Sequence, residues 1–221
     1  MIINLEELYD MIFKRKSFRK FNDTLILSKE ELQDINQQIK SLNPLIKDIE
    51  IKCKIVPREK TTCKRGEYCL IIYSEEKEHY LLNIGYMFEQ LDLCLASKNI
   101  GVCWYGMGKV NEPQYENFKY IIMMALGKGI ESEFRKNYKK SKRKETRDIW
   151  KGDLSLEIAD FVKYAPSACN TQPWRVIFLY FLELTLSHNG FSFQRTLSPE
   201  NNNSNLISIA TYTLEKNKNK P

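Results

Sequence analysis

Hydrophobic and polar positions along the chain change period several times, and each change marks an element. Leu5, Leu8, Tyr9, Ile12 and Phe13 recur at helical spacing after Asn4 and Glu7, and the stripe ends at the basic cluster Lys14–Lys20. Ser28 and Glu31 form a capping-box pair, which predicts a helix carried on by Leu32, Ile35, Ile39 and Leu42 and stopped by Pro44. From Ile49 to Val56 apolar and polar residues alternate, as in a half-buried strand, and Tyr68–Tyr73 is a short apolar run of interior-strand type. Residues 78–98 are apolar on most faces (Leu82, Ile84, Met87, Phe88, Leu91, Leu95), which places a long helix in the core. Strand-like runs follow at Ile100–Tyr105 and Tyr120–Leu126, bounded by glycines. A further helix is expected from about Leu154 through Ile158, Phe161 and Val162 to Pro166. Beyond about Thr185 no period stands out, and Asn201–Asn205 with the Lys-Asn alternation that follows reads as a tail.

Composition narrows the class. With 221 residues, 43% of them hydrophobic and 28% charged, the chain can bury a core, and wholesale disorder is excluded. The net charge of +6 permits a phosphorylated or polyanionic partner without requiring one. The longest apolar run, Val176–Leu182, falls far short of the ~20 residues a membrane helix needs. Acids stand where a signal peptide would carry positive charge, so a cytoplasmic protein with reduced thiols is expected. The six cysteines show no CxxC spacing and only two histidines accompany them, so no metal site is expected.

Three segments carry candidate chemistry. In Phe13–Phe21, Arg15 and Arg19 offer planar forks for phosphate oxygens, Lys16 a point charge and Ser17 a short donor, although charge runs are ordinarily solvated faces. Residues 165–175, Ala-Pro-Ser-Ala-Cys-Asn-Thr-Gln-Pro-Trp-Arg, read either as a rigid helix-to-strand turn with Trp174 in the core or as a preshaped wall of small side chains. Residues 135–147 hold eight basic side chains and one acid, Glu145, with Tyr138 as the interleaved aromatic; a solvated connector is the expected reading, ahead of a nucleic-acid surface.

Together, Arg15-Lys-Ser-x-Arg19 and Pro166-Ser-Ala-x-Asn-x-Gln-Pro-Trp174 resemble the FMN-dependent nitroreductases. The segments Asn83-Ile-Gly-Tyr and Ala96–Gly106 are similar to that family's core helix and the glycine-bounded strand after it. The Pro-Ser-Ala-x-Asn motif comes late here, which resembles a subgroup with two half-domains in one chain. The resemblance implies an α+β fold, a mixed, mostly antiparallel sheet flanked by helices, arranged as a pseudo-dimer. Residues 1–130 would be the first half, 131–150 a basic connector and 151–221 a second half whose C-terminal part is degenerate. It implies FMN as cofactor, with Arg15, Lys16, Ser17 and Arg19 on the phosphate and ribityl chain, and Pro166, Ser167, Ala168 and Asn170 along the ring. Tyr105 and Gly106 would lie near the reactive edge, and Lys64 or Arg65 could reach the pyrimidine end. NAD(P)H would then pass hydride through flavin N5 to a nitroaromatic, quinone or similar small-molecule acceptor, with no catalytic side chain and no metal. The alternatives are a flavin-binding protein without turnover and, less favoured, a basic nucleic-acid-binding protein. A monomeric pseudo-dimer or a homodimer would serve, with no membrane partner.

Overall fold

The computed structural model describes residues 5–145, 148, 161, 163–167, 170, 177–201 and 207–216. Helix α1 (Leu5–Lys14) runs into the basic segment, and α2 (Lys29–Lys40) starts at the expected box. The Ser28 hydroxyl accepts from the Glu31 N–H at 3.2 Å, and Glu31 accepts from the Ser28 N–H at 2.9 Å. Strands β1 (Ile51–Pro57), β2 (Tyr68–Ser74), β3 (Ile100–Tyr105), β4 (Gln114–Tyr115) and β5 (Phe118–Lys128) form one sheet in the order β1-β2-β5-β3, with β4 paired to β5. Every pairing among the described residues is antiparallel.

Helix α3 (Tyr80–Ser97) explains why its sequence is apolar almost all round. One side, with Ile84, Phe88, Leu91 and Leu95, packs on Leu70 and Ile72 of β2, Met124 and Leu126 of β5, and Val102 of β3. Another side, with Tyr86 and Leu93, meets α1 and the last helix. The helix is thus buried between the sheet and a second helical layer. The two-residue period of the strands sends their alternate residues to the far face. There Cys69, Cys103, Met123 and Ala125 pack with Cys63. Burial pushes the Cys53 and Cys69 thiols up to about 12 and Cys94 up to about 11.

The C-terminal region differs from the expected tail. The apolar run becomes helix α4 (Ile177–His188), and β6 (Phe191–Asn201) and β7 (Ile207–Lys216) form an antiparallel hairpin. Along β6, Phe191, Phe193, Arg195 and Leu197 are half-buried, whereas Ser192, Gln194 and Thr196 are exposed. Phe193 and Leu197 pack with Tyr212 and Leu214 of β7 against the α1–α3–α4 layer. Of the Asn-rich stretch, Asn201 ends β6, and residues 202–205 lie outside the described residues. The expected helix over 154–162 lies, apart from Phe161, outside the described residues, as does Trp174.

Glu183 of α4 ties this layer together. Its carboxylate accepts from the Tyr86 hydroxyl at 2.6 Å and the Tyr212 hydroxyl at 3.0 Å, and it pairs with Arg195. Arg195 also stands 5.3 Å from the Tyr86 ring centre. At the surface end, His188 stacks on Tyr9 at 3.6 Å and meets Glu6 at 2.7 Å. Glu183→Ala strands a half-buried guanidinium, the buried Tyr86 hydroxyl and the half-buried Tyr212 hydroxyl. It should cost ~3–5 kcal/mol of stability, read from the urea unfolding midpoint. Arg195→Met paired with Glu183→Leu should recover most of that loss.

Candidate functional site

The basic segment is attached to the fold at two points. The first is Arg15, whose guanidinium enters the core instead of facing solvent. Its Nη1 lies 2.8 Å from Asp92 Oδ2, and its Nε lies 3.8 Å from Glu89 Oε1; both acids are on α3. Trp104 Nε1 of β3 donates to the same Asp92 oxygen at 3.0 Å. Arg15 is 3% exposed and Asp92 1%. Burial works against the Arg15 charge, but Asp92 and then Glu89 outweigh it and hold its pKa above the usual value. The fork expected to grip phosphate is claimed here by a buried carboxylate. Glu89 is fully buried, and neither of its oxygens has a hydrogen-bond partner among the described residues. Burial, and next the Asp92 charge, raise its pKa well above the carboxylate range, against the pull of Arg15.

The second point is Phe18. Its backbone N–H donates to Val102 O of β3 at 2.9 Å. Its ring fills the space over Gly101, where an added Cβ would come within 2.5 Å of the ring, and meets Phe134 edge-on at 4.7 Å. With Phe18 pinned inward, Ser17 stays half-buried and Arg19 exposed alongside β3. Arg19 Nη1 reaches to 4.0 Å from Cys103 Sγ. Arg65 acts on the same thiol: burial raises the Cys103 pKa, and Arg19 and Arg65 oppose it. Arg65 Nη1 is buried with no hydrogen-bond partner. No carboxylate pairs with Arg19 or Arg65 among the described residues. Lys64 is exposed. Tyr105 and Gly106 close β3 on this side, and Gly106 is exposed with nothing within 4 Å of where its Cβ would stand.

The second motif meets the first at a cleft of about 450 Å³. Pro166 and Ser167 are half-buried, and Ala168 lies outside the described residues. Asn170 adopts φ 56°, a left-handed turn that asparagine tolerates, and its N–H donates to Ser167 O at 3.1 Å. The side-chain amide is engaged at both ends: Nδ2 donates to Lys142 O at 2.9 Å, and Oδ1 accepts from Arg143. Lys16 and Asn170 both line the cleft; Ser17, Arg19, Tyr105 and Pro166 do not.

Sequence reasoning missed the rest of the lining, which comes from residues 132–143 of the connector. The segment is fastened to the body. Phe134 is buried, the Arg135 N–H donates to Lys14 O at 2.9 Å, and Arg135 Nη1 donates to Ile12 O at 3.1 Å. Arg143 Nη2 donates to Tyr164 O at 3.1 Å. The available signal was Tyr138 inside the basic run and Phe134 directly before it, since a solvated linker has no use for either.

A central antiparallel sheet with a buried helix against it, and a basic segment laid along its edge strand, defines a nitroreductase-like α+β fold. Residues 7–193 match the family model described as "Putative TM nitroreductase", and the chain belongs to that family of oxidoreductases. Its fold is similar to that of a "putative nitroreductase" from Thermotoga maritima, with a TM-score of 0.62 at 18% identity, covering 88% of this chain and 91% of the other. A nitroreductase family protein from Clostridium difficile aligns with a TM-score of 0.52 at 11% identity, covering 66% of this chain and 98% of the other. No curated protein matches the chain. Among the described residues no helix is long and apolar enough to cross a membrane.

The Glu89 carboxyl gives a pH test of this core. Its folded pKa lies above its unfolded value, so the folded state holds the extra proton and stability falls as pH rises from about 4.5 upward. Glu89→Gln removes the ionisable group at nearly constant shape. The urea midpoint of the variant should exceed the wild type at pH 8, with the difference shrinking toward pH 5. An unchanged pH slope would show that Glu89 does not carry this linkage.

Proposed function

We propose that the chain is an FMN-dependent oxidoreductase that takes electrons from NAD(P)H and delivers them to a nitroaromatic, quinone or similar small acceptor. The observation that carries this reading is the meeting of Lys16 and Asn170, from the two nitroreductase-like motifs, at one cleft. The donor set fits a flavin nucleotide. Lys16 and Ser17 can hold phosphate oxygens, and Arg19 and Arg65 are cations without acidic partners among the described residues, suited to the electron-rich end of a reduced ring. Exposed Gly106 leaves the end of β3 approachable by a flat group. Pro166 and Ser167 supply small, stiff surface beside the cleft, and Asn170 fixes the turn that presents them.

When bound, FMN supplies the two-electron chemistry, and the chain contributes binding, orientation and charge, with no nucleophile or metal of its own. Ser17 and Lys16 fix position, Phe18 under them sets the distance to β3, and Arg19 and Arg65 place positive charge beside Cys103. We further propose that residues 1–130 and 151–221 are two halves of one site joined by the 131–150 connector, so that one chain, alone or as a homodimer, completes it. A cytoplasmic setting agrees with this chemistry.

Purified protein reconstituted with FMN should show flavin absorbance that bleaches on anaerobic addition of NADH or NADPH and returns with a quinone. Ser17→Ala with Arg19→Ala should weaken FMN by at least about tenfold in a fluorescence titration while the unfolding midpoint holds. Failure to retain flavin, or a retained flavin that neither nucleotide bleaches, overturns the reading.

A further inference from the structure

Three cysteines meet on the far face of the sheet: Cys63, Cys69 and Cys103, each exposed by 3% or less. Cys69 and Cys103 fit the reading of a small buried hydrophobe, because they stand in the apolar runs of β2 and β3. Cys63 does not. It lies in Thr-Thr-Cys-Lys-Arg-Gly-Glu, the polar segment 61–67, and it alone in that segment is buried. The segment is an arm laid over the sheet. Thr61 bridges Val110, the Thr62 N–H donates to Lys109 O at 3.1 Å, and the Glu67 N–H donates to Leu126 O at 2.7 Å.

Strand pairing limits which of these thiols can join. Cys69 of β2 and Cys103 of β3 both stand opposite Ala125 of β5, so a whole strand separates them. Two strand spacings put their Cα atoms roughly 9–10 Å apart, beyond the ~7 Å that a disulfide can span. Cys63 is therefore a member of any pair among the three. Thr61 directs it to Cys69: the Thr61 hydroxyl accepts from the Cys63 N–H at 3.0 Å and lies 3.4 Å from Cys69 Sγ. Burial raises the Cys69 pKa most; Thr61 opposes it, and Cys63 adds to it by charge and by hydrogen bonding. Cys63 also reaches Arg65, to whose carbonyl its Sγ donates at 3.5 Å.

We propose that Cys63 and Cys69 form a reversible disulfide, with a hydroperoxide as the oxidant. Cys63 is reached when the arm lifts, and its fastenings are a few hydrogen bonds. The adjacent Lys64 and Arg65 favour its thiolate. The Cys63 sulfur attacks a peroxide oxygen, the O–O bond breaks, and the thiol proton leaves with the hydroxide as water. Cys63 is then a sulfenic acid. The Cys69 sulfur attacks it, the S–O bond breaks, and the Cys69 proton leaves with that hydroxide as a second water. Two thiols and one hydrogen peroxide become one disulfide and two waters, so the sulfurs lose the two electrons that the peroxide gains. The crosslink removes the thiol that donates to Arg65 O and ties the arm carrying Arg65 to β2. A transient bond of this kind is what a reducing compartment permits. What it does to a bound flavin rests on the flavin reading; the crosslink itself does not.

The test treats the purified full chain with hydrogen peroxide, then unfolds it, alkylates the remaining thiols and digests it with trypsin. Lys64 and Arg65 separate the two cysteines, so a Cys63–Cys69 linkage appears as two joined peptides. That linkage is the expected result, reversed by dithiothreitol, with Cys103 still alkylated. On the folded protein, oxidation should slow trypsin cleavage after Lys64 and Arg65 by at least about tenfold, because the crosslink opposes opening of the arm. Cys103→Ala should keep both the linkage and the protection, and Cys69→Ala should lose both. If Cys69→Ala does not fold, the peptide map of the wild type decides alone. A Cys63–Cys103 linkage, oxidation of Cys63 to sulfinic acid without a link, or the recovery of every thiol after peroxide overturns the proposal. The map needs no flavin, so a protein that binds none would overturn the flavin reading and leave the thiol pair standing.

Discussion

The buried pair of Arg15 and Asp92 is the contact on which the site depends. It joins the end of α1 to the middle of α3, and Trp104 brings β3 to the same oxygen. Such a pair gains little net stability against an apolar replacement, but breaking one side of it is costly. Its value is therefore in geometry. With Arg15 anchored inward, Phe18 falls over Gly101, and Lys16, Ser17 and Arg19 are displayed along β3 in a fixed register. The rest of the basic segment stays nearer the surface because its first arginine is held in the core.

That division was not legible in the sequence. A basic run shows how many cations are present but not where each points, and the partner that claims Arg15 lies 77 residues away. The elements with strong local signals were legible: the capped α2, the alternating β1, and α3, whose apolar girth required neighbours on several sides. The C-terminal region was not. Helix α4 is mostly apolar and shows only a weak helical period, and the polar outer residues of β6 and β7 dilute the hydrophobic count. The alternation of Phe191, Phe193 and Leu197 with Ser192, Gln194 and Thr196 was present, but the Asn-rich connection beside it dominated the composition.

The connector was misleading for a related reason. Eight basic residues within thirteen positions look like solvent-facing chain, yet Phe134, Arg135 and Arg143 are each fastened to different elements. Charge density alone does not separate a linker from a lining. What separates them is whether backbone hydrogen bonds and packed aromatics accompany the run, and here they do.

The placement of Asn170 has a consequence for how the protein is made. Arg15, Asp92 and Trp104 all leave the ribosome early, so the core that displays the basic segment can assemble on a partial chain. The cleft cannot, because the amide that fixes Arg143 arrives only after the connector has emerged, and Glu183, Arg195 and Tyr212 must follow to seal the helical layer. A nascent chain therefore carries a formed sheet and an open, strongly positive segment for the time taken to add its last third, a matter of seconds at about 5–20 residues per second. The cleft is therefore the last part of this region to close.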